Sequence, residues 1–480
     1  MTKYLYIPME IFDRELDGNL MLSLNAVARG WTVILGGKSD ILWRIESLPE
    51  GVYLLKSVVP GETLIQDRIR AAGGRVTCLD QEGLLQRWGL EYHFRFSEES
   101  VRKTDILFFW GREQWKHFQD VFPGQPADTL IVSGSPRADF WALVGRNKQR
   151  FTGLASKHRR SALDDYVLFV TSFGNANHAL GEYGQKNLLM RASNIEQLGK
   201  DYERILLDNA EARRELAQLM IGVYKDFLLS LSSAHPELRI VLRPHPSEDI
   251  EFWKKVIAGR RNISIETGGA TTDWIVDAKC VVQYGSTVAI ESALLGVPVV
   301  TCIPPLPDHL QALNLRYPEI VSRVAGSVED AVCAVSGILS NKDHHEPVDL
   351  LLLQDITNSD RGFNSSQMIL DALDRIAINN NREVQVSGSG LASARKLIPE
   401  AKAFVLAVAL LIPGLRSLVP ERHRHLSLRK PYKHRKVYQL SSAGLTQRMA
   451  LINEITGLSD QPFSVERLSG NLFKISAKPN

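Results

Sequence analysis

The chain has 480 residues, 44% hydrophobic and 8% aromatic, enough apolar material for two or more domains with cores of their own and too much for a disordered protein. A net charge of +3 is too mild to imply nucleic acid, and the positive charge gathers toward the C-terminal end. The four cysteines, Cys78, Cys280, Cys302 and Cys333, make no CxxC pair and three sit in apolar runs, which predicts buried free thiols in a reducing compartment, with no disulfide and no zinc site.

Tyr4 to Ile7 reads as a strand with no charged-then-apolar leader before it, so no secretory signal is expected and a cytoplasmic protein is. Thr32 to Leu35, Val52 to Leu55, Val76 to Leu79, Ile106 to Trp110 and Leu130 to Val132 read as further strands, separated by helical patterns such as Leu20 to Ala28 and Glu62 to Ala72. Strands alternating with helices imply a parallel sheet covered on both faces, a Rossmann-like domain over 1–150. Polar clusters follow its strands: Glu10, Asp13, Arg14 and Glu15; Gly36-Gly37-Lys38, which lacks P-loop spacing; and Gly134-Ser135-Pro136-Arg137.

Residues 145–163 are polar and basic without apolar periodicity and read as a linker. A second α/β unit, assigned to 151–380, follows. Its strands are Tyr166 to Val170, Ile240 toward His245, Ile263 to Ile265, Cys280 toward Gly285, and Val299 to Cys302; its helices are a long one from Tyr202 to Ser233, then Val328 to Leu339 and Gln367 to Ile376. Residues 381–480 read as a basic amphipathic extension. The predicted fold class is therefore α/β, two Rossmann-like domains facing a central cleft with that extension appended, an architecture that matches glycosyltransferases of the GT-B type, nucleotide-sugar epimerases and several periplasmic binding proteins, the last disfavoured by the missing leader.

Two stretches of the second unit organise the chain. Ile240 to Glu248 is an apolar strand ending in the polar loop Arg243-Pro244-His245-Pro246-Ser247-Glu248, and Cys280 to Val299 passes from a β-branched run through Gly285-Ser286-Thr287 into helical spacing. A strand, tight turn and helix N-terminus offers free N–H groups and two hydroxyls to a phosphate, although Ser and Thr are also ordinary caps. Arg243 and His245 sit where a parallel strand leaves its sheet, the edge at which open α/β sheets bind ligands. Arg243 could instead pair with Glu248. Glu291, one turn into the helix, could accept N–H groups or a ribose hydroxyl, or be a surface residue. Ser172, Asn175, Asn177 and His178, after another strand, are expected to line the cleft with Arg14, or to make plain turns.

The opening Ile7 to Asp17, Gly89-Leu90-Glu91-Tyr92, Phe109-Trp110-Gly111, Gly134 to Asp139, Arg243 to Glu248 and Gly285 to Pro298 resemble bacterial surface carbohydrate biosynthesis proteins over about residues 1–380. The His-Pro pair with a hydroxyl-bearing helix start is also similar to short motifs of polysialyltransferases and β-Kdo transferases, GT-B enzymes that use CMP-activated ulosonic sugars. That resemblance implies His245 and Ser286 or Thr287 at the CMP phosphate.

Transfer from a nucleotide sugar builds negative charge on the leaving phosphate and an oxocarbenium-like sugar, so it needs fixed donors at one and carboxylates near the other. Arg243, His245, Ser247, Gly285, Ser286 and Thr287 are the phosphate candidates, with Glu248 and Glu291 beside them; Glu10, Asp13 and Glu15 on the facing domain are the catalytic candidates, Glu10 first because it is closest to the strand end, although the group could be a solvated ion-pair cluster. No two aspartates stand two apart, so no metal and no cofactor are expected. Ala401 to Leu415 is apolar and Arg416 to Lys436 strongly basic, which suits an anionic membrane surface at roughly 1 kcal/mol per basic residue, or an acidic protein surface. The expected activity is glycosyl transfer from a nucleotide sugar, CMP-linked by preference, to a surface-glycan acceptor; a UDP-sugar epimerase, a CDP-alditol phosphotransferase or a non-catalytic scaffold are the alternatives.

Overall fold

A computed structural model describes residues 1–84, 95–155, 165–181, 200–311, 313, 316–341, 350–358, 364–384, 438–458 and 460–478. The first sheet is built from β1 (Thr2–Met9), β2 (Trp31–Gly37), β3 (Val52–Leu55), β4 (Arg75–Leu79), β5 (Ile106–Phe109) and β6 (Leu130–Val132), all parallel, in the order β2-β1-β3-β4-β5-β6. The second is wholly parallel, β12-β11-β10-β7-β8-β9, from β7 (Tyr166–Val170), β8 (Arg239–Arg243), β9 (Ile263–Ile265), β10 (Cys280–Val282), β11 (Val299–Cys302) and β12 (Arg323–Ala325). Continuous apolar runs such as Tyr166–Val170 become strands buried on both faces, as parallel sheets require. Cys78, Cys280 and Cys302 are buried free thiols and Cys333 is exposed.

In each sheet the chain order reverses beside one strand, β1 in the first and β7 in the second. The two reversal points face each other. The helix Phe12–Ala28 begins just past the end of β1, eight residues earlier than apolar spacing indicated, because its first turns bury Phe12, Glu15 and Leu16 under the sheet. The helix Lys200–Ala234 buries Leu216, Met220, Tyr224, Phe227 and Leu231, one stripe at helical spacing, against the second sheet.

The expected boundaries at 151–380 and 381–480 do not follow the packing. The helices Leu350–Thr357 and Ser365–Arg375 return to the first domain: Ile356, Ile369, Leu370 and Leu373 join its core, and Asp139 accepts the backbone N–H of Ser365 at 2.8 Å. The short strand β13 (Asn379–Asn380) then pairs antiparallel with Thr2 and Lys3 of β1.

Residues 438–478 complete the first domain rather than trailing from it. The helix Ser442–Thr456 buries Leu445, Met449 and Ile452 in that core and ends at Gly457 in the left-handed region (φ +62°). The hairpin of β14 (Phe463–Ser469) and β15 (Leu472–Ala477) lays β15 antiparallel along β2, from Leu472 opposite Gly36 to Ile475 opposite Val33, and so covers an exposed sheet edge. Burial of Leu472, Phe473 and Ile475 supplies about 1.5–3 kcal/mol each, as an upper estimate. Sequence pattern hid this because a hairpin joined at sequence separations above 400 has no local signature. The apolar and basic run at 401–436 lies outside the described residues. Among the described residues no helix is long and apolar enough to cross a membrane.

Candidate functional site

A cleft of about 180 Å³ opens between the two reversal points. Its first-domain wall carries Ile11, Asp13, Arg14 and Arg137; its second-domain wall carries Thr171, Ser172, Arg243 to Pro246, Thr271, Gly285 to Val288 and Glu291.

On the second-domain wall, Arg243 closes β8 and is nearly buried. Its Nη1 and Nη2 donate to the carbonyls of Gly268 and Gly269 at 2.8 and 3.0 Å, and its guanidinium lies 5.2 Å from the centre of the Trp274 ring. Among the described residues it makes no ion pair, and burial draws its pKa below the ordinary arginine value against the opposing charges of Asp13, Glu266, Asp273 and Glu291. The pairing with Glu248 considered from sequence does not form. His245 accepts the Ser247 N–H on Nδ1 at 3.1 Å, with the Ser247 hydroxyl 2.6 Å away, so the neutral imidazole carries its proton on Nε2. Ser247 therefore orients His245 and does not line the cleft.

Glu248 is fully buried and takes donors from Thr171 Oγ1 (2.8 Å), Trp253 Nε1 (2.9 Å) and His245 N (3.0 Å). It is a staple between loops, not a ligand group, and burial pushes its carboxyl up to about 7. Asn177 donates to the Asp249 carbonyl and His178 forms a backbone bridge with Glu248, so both fasten the same loops, and His178 Nδ1 accepts the Leu180 N–H within its own loop. Asn175 is not on the cleft wall. Ser172 is, with its hydroxyl donating to the Tyr284 carbonyl at 2.7 Å.

Gly285 makes the turn after β10 in the left-handed region (φ +56°), where a side chain would be strained. Ser286 Oγ accepts the Val288 N–H at 3.3 Å, and the following helix, Val288–Leu294, has only seven residues. One terminal N–H is thus already capped and the dipole is short, so side chains dominate this phosphate candidate. Thr287 makes no side-chain cap bond, and Glu291 accepts the Thr272 hydroxyl at 2.6 Å while burial pushes it up to about 7.

The three carboxylates after β1 separate. Glu10 pairs with Lys56, away from the cleft. Glu15 is buried and accepts the N–H groups of Glu10 (2.9 Å) and Ile11 (3.3 Å) and the Arg14 guanidinium (3.1 Å), capping the helix start. Asp13 alone lines the cleft, and its Oδ1 is buried with no hydrogen-bond partner among the described residues. Burial raises its pKa to about 6, opposed by Arg243 across the cleft and by Tyr438 beside it. Glu10, ranked first from sequence, is not on the cleft wall, because the chain turns between Met9 and Phe12 and brings the fourth residue past the strand, not the first, to the cleft.

Arg137 on the cleft wall, and Tyr438 and Arg448, which contact the helix that carries Asp13, were not foreseen from sequence. Arg137 is 3% exposed, lies over Trp110 and Trp141 at 5.3 and 4.9 Å, and donates from Nη1 to the backbone and side-chain oxygens of Gln81. Gly18 makes room for it, since a Cβ there would stand 2.6 Å from Arg137 Cγ. Tyr438 packs edge-on to Phe12 at 5.7 Å. Arg448 binds Asp17 with Nε and Nη2 (2.7 and 2.6 Å) and Asp273 with Nη1 and Nη2 (3.3 and 2.8 Å), tying the helix behind Asp13 to the helix Thr271–Ile275 of the second domain. The Gly-Ser-Pro-Arg cluster after β6 was a usable signal for Arg137; Tyr438 and Arg448 had none.

No family model and no curated sequence matches the chain. Among solved structures it is similar to UDP-GlcNAc 2-epimerase from Neisseria meningitidis bound to UDP-GlcNAc, at 10% identity over 78% of this chain and 100% of that one with TM-score 0.47. A putative UDP-N-acetylglucosamine 2-epimerase from Listeria monocytogenes gives 12%, 78%, 96% and 0.45, and the wall teichoic acid polymerase TagF 13%, 63%, 68% and 0.40. Likeness at this level is too distant to assign a reaction, and the cleft residues carry the argument from here.

Proposed function

We propose that this chain is a metal-independent glycosyltransferase of surface-glycan biosynthesis that moves an ulosonic sugar from a CMP donor to a glycan hydroxyl. The observation that carries the reading is Asp13: an unpartnered, buried carboxylate oxygen facing, across the cleft, a wall of phosphate donors. In the proposed step the acceptor oxygen bonds to the anomeric carbon, its proton passes to Asp13, and the bond from that carbon to the phosphate oxygen breaks. The electron pair leaves with CMP, whose phosphate receives hydrogen bonds from Arg243, His245 Nε2–H, Ser286 and Thr287. A base with a pKa of about 6 is largely deprotonated near neutrality and still basic enough to receive a proton. Contact of 401–436 with an anionic membrane belongs to the same reading, since acceptors of this class are often lipid-linked.

Calorimetry of the full chain with CMP, a CMP-sugar and UDP-GlcNAc, each with and without EDTA, tests it. CMP compounds are expected to bind unaffected by EDTA, and the CMP-sugar to be consumed when acceptor is added. Binding of UDP-GlcNAc with CMP silent overturns the cytidine assignment, and loss of binding in EDTA overturns metal independence.

A further inference from the structure

Arg137 is a buried cation that the donor phosphate site does not use. No carboxylate of the described residues lies within ion-pair distance of it, its Nε is buried without a partner, and its Nη1 is met only by Gln81 oxygens. Arg14 stands on the same wall, but Glu15 at 3.1 Å and Glu82 at 3.7 Å already balance its charge. The Trp110 and Trp141 rings hold the Arg137 guanidinium in place from within the first domain, as a rigid planar fork needs. Glu291, Glu15 and Glu82 oppose the burial only from beyond ion-pair distance, so a desolvated guanidinium held this way without a direct ion pair costs stability that an arriving anion would relieve.

We propose that Arg137, flanked by Arg14, forms a second anion subsite on the first-domain wall of the cleft, taking a carboxylate or phosphate group carried by a reactant. The Arg243 and His245 wall holds the nucleotide phosphate; the Arg137 wall reads a further negative group, on the transferred sugar or on the acceptor. Neutral sugars are then poor partners. The repulsion between Arg14 and Arg137, and the burial that draws Arg137 down to about 9, are relieved by the same ligand. This identity of the ligand as a reactant rests on the transferase reading, whereas the presence of an anion subsite does not.

The test is thermal melting of the full chain against inorganic phosphate, with chloride exchanged for it to hold ionic strength constant. Wild type is expected to gain melting temperature with phosphate, His245→Ala to retain part of the gain, and Arg137→Met to lose the Arg137-dependent part. Without phosphate, Arg137→Met should melt no lower than wild type, because an unpaired buried charge has been removed. Arg137→Lys, which keeps the charge, should restore part of the response even if Arg137→Met folds poorly. A phosphate response unchanged in both Arg137 variants overturns the subsite. Two arms then find the source: an Arg137-dependent gain of about tenfold in affinity for CMP-N-acetylneuraminate over CMP places the anion on the donor sugar, and the same gain for a sugar phosphate monoester places it on the acceptor. Dependence in neither arm overturns the reactant assignment. A persisting phosphate response with no CMP binding at all leaves the subsite standing while the transferase reading falls.

Discussion

The two walls of the cleft differ in how finished they are. On the second-domain wall the main polar groups are met from within: Arg243 by two glycine carbonyls and an indole ring, His245 by Ser247, Ser172 by the Tyr284 carbonyl and Glu291 by the Thr272 hydroxyl. On the first-domain wall, Asp13 Oδ1 and Arg137 Nε are buried and unpartnered. Satisfied networks fix geometry at little cost, whereas an unmet buried polar group costs on the order of 1–3 kcal/mol and calls for a functional explanation. Under the proposed function the difference is a division of labour, with one wall a preformed binder and the other holding groups whose partners would arrive with the reactants.

The comparison breaks most visibly at Asp13. Asp13→Asn keeps the shape but removes the base, and turnover should fall by about 10²- to 10⁴-fold with donor affinity nearly unchanged. The pH dependence has a definite sign. Asp13 must be deprotonated to act, so wild-type kcat/KM should drop as pH falls through about 6, and the residual activity of Asp13→Asn should lack that limb. Near-normal turnover in the variant would end the assignment.

The next largest effect concerns what keeps the walls facing each other. Arg448 is the bridge between Asp17 of the first domain and Asp273 of the second, and its side chain is only 16% exposed. Arg448→Met leaves both carboxylates facing each other without their cation, at a cost of about 3–5 kcal/mol in unfolding free energy. Chemical denaturation measures this, and a variant as stable as wild type would show that the bridge does not hold the domains.

Much of this was legible in the sequence, and the remainder was hidden for physical reasons. Parallel strands such as Tyr166–Val170 announce themselves as short apolar runs, and polar residues right after them, Arg243 and His245 above all, fall on the sheet's ligand edge by topology alone. Direction within a loop is not local. Whether Glu10, Asp13 or Glu15 faces the cleft depends on where the helix Phe12–Ala28 begins, and that start is set by tertiary burial of Phe12 and by the cap from Glu15. Glu248 was grouped with the phosphate candidates because it lies in the polar loop after the strand; only the positions of Trp253 and Thr171 show that its oxygens are taken. The parts supplied from 438–478 came from contacts across most of the chain length, which no periodicity encodes.

On the finished wall the effects should be smaller. His245→Ala removes one hydrogen bond to phosphate while Arg243 and the hydroxyls remain, so nucleotide affinity should weaken by about five- to a hundredfold, equivalent to roughly 1–3 kcal/mol. The fold should survive, since the ring is only part-buried and Glu248 would still accept from Thr171, Trp253 and the backbone N–H of residue 245. Calorimetry with CMP decides this, and unchanged affinity in a variant that melts like wild type would take His245 out of the site.

Ser286→Ala should give the smallest change, and it sharpens the comparison because two readings of this residue predict different outcomes. As the acceptor of the Val288 N–H, Ser286 Oγ is a helix cap, and its loss costs about 0.5–2 kcal/mol of stability with no bearing on the ligand. As a phosphate donor its O–H is still available, because accepting from Val288 uses a lone pair and not the proton. Both roles together predict a modest fall in melting temperature and a loss of about fivefold or less in CMP affinity. The double variant with His245→Ala distinguishes a shared phosphate from two separate contacts. If both side chains bind one phosphate, the second substitution should cost less than it does alone, since the phosphate is already loosened. Strict additivity of the affinity losses would give Ser286 a contact of its own, and unchanged CMP affinity in Ser286→Ala, with its melting effect still present, would leave Ser286 as a cap and confine the preformed wall to Arg243, His245 and Thr287.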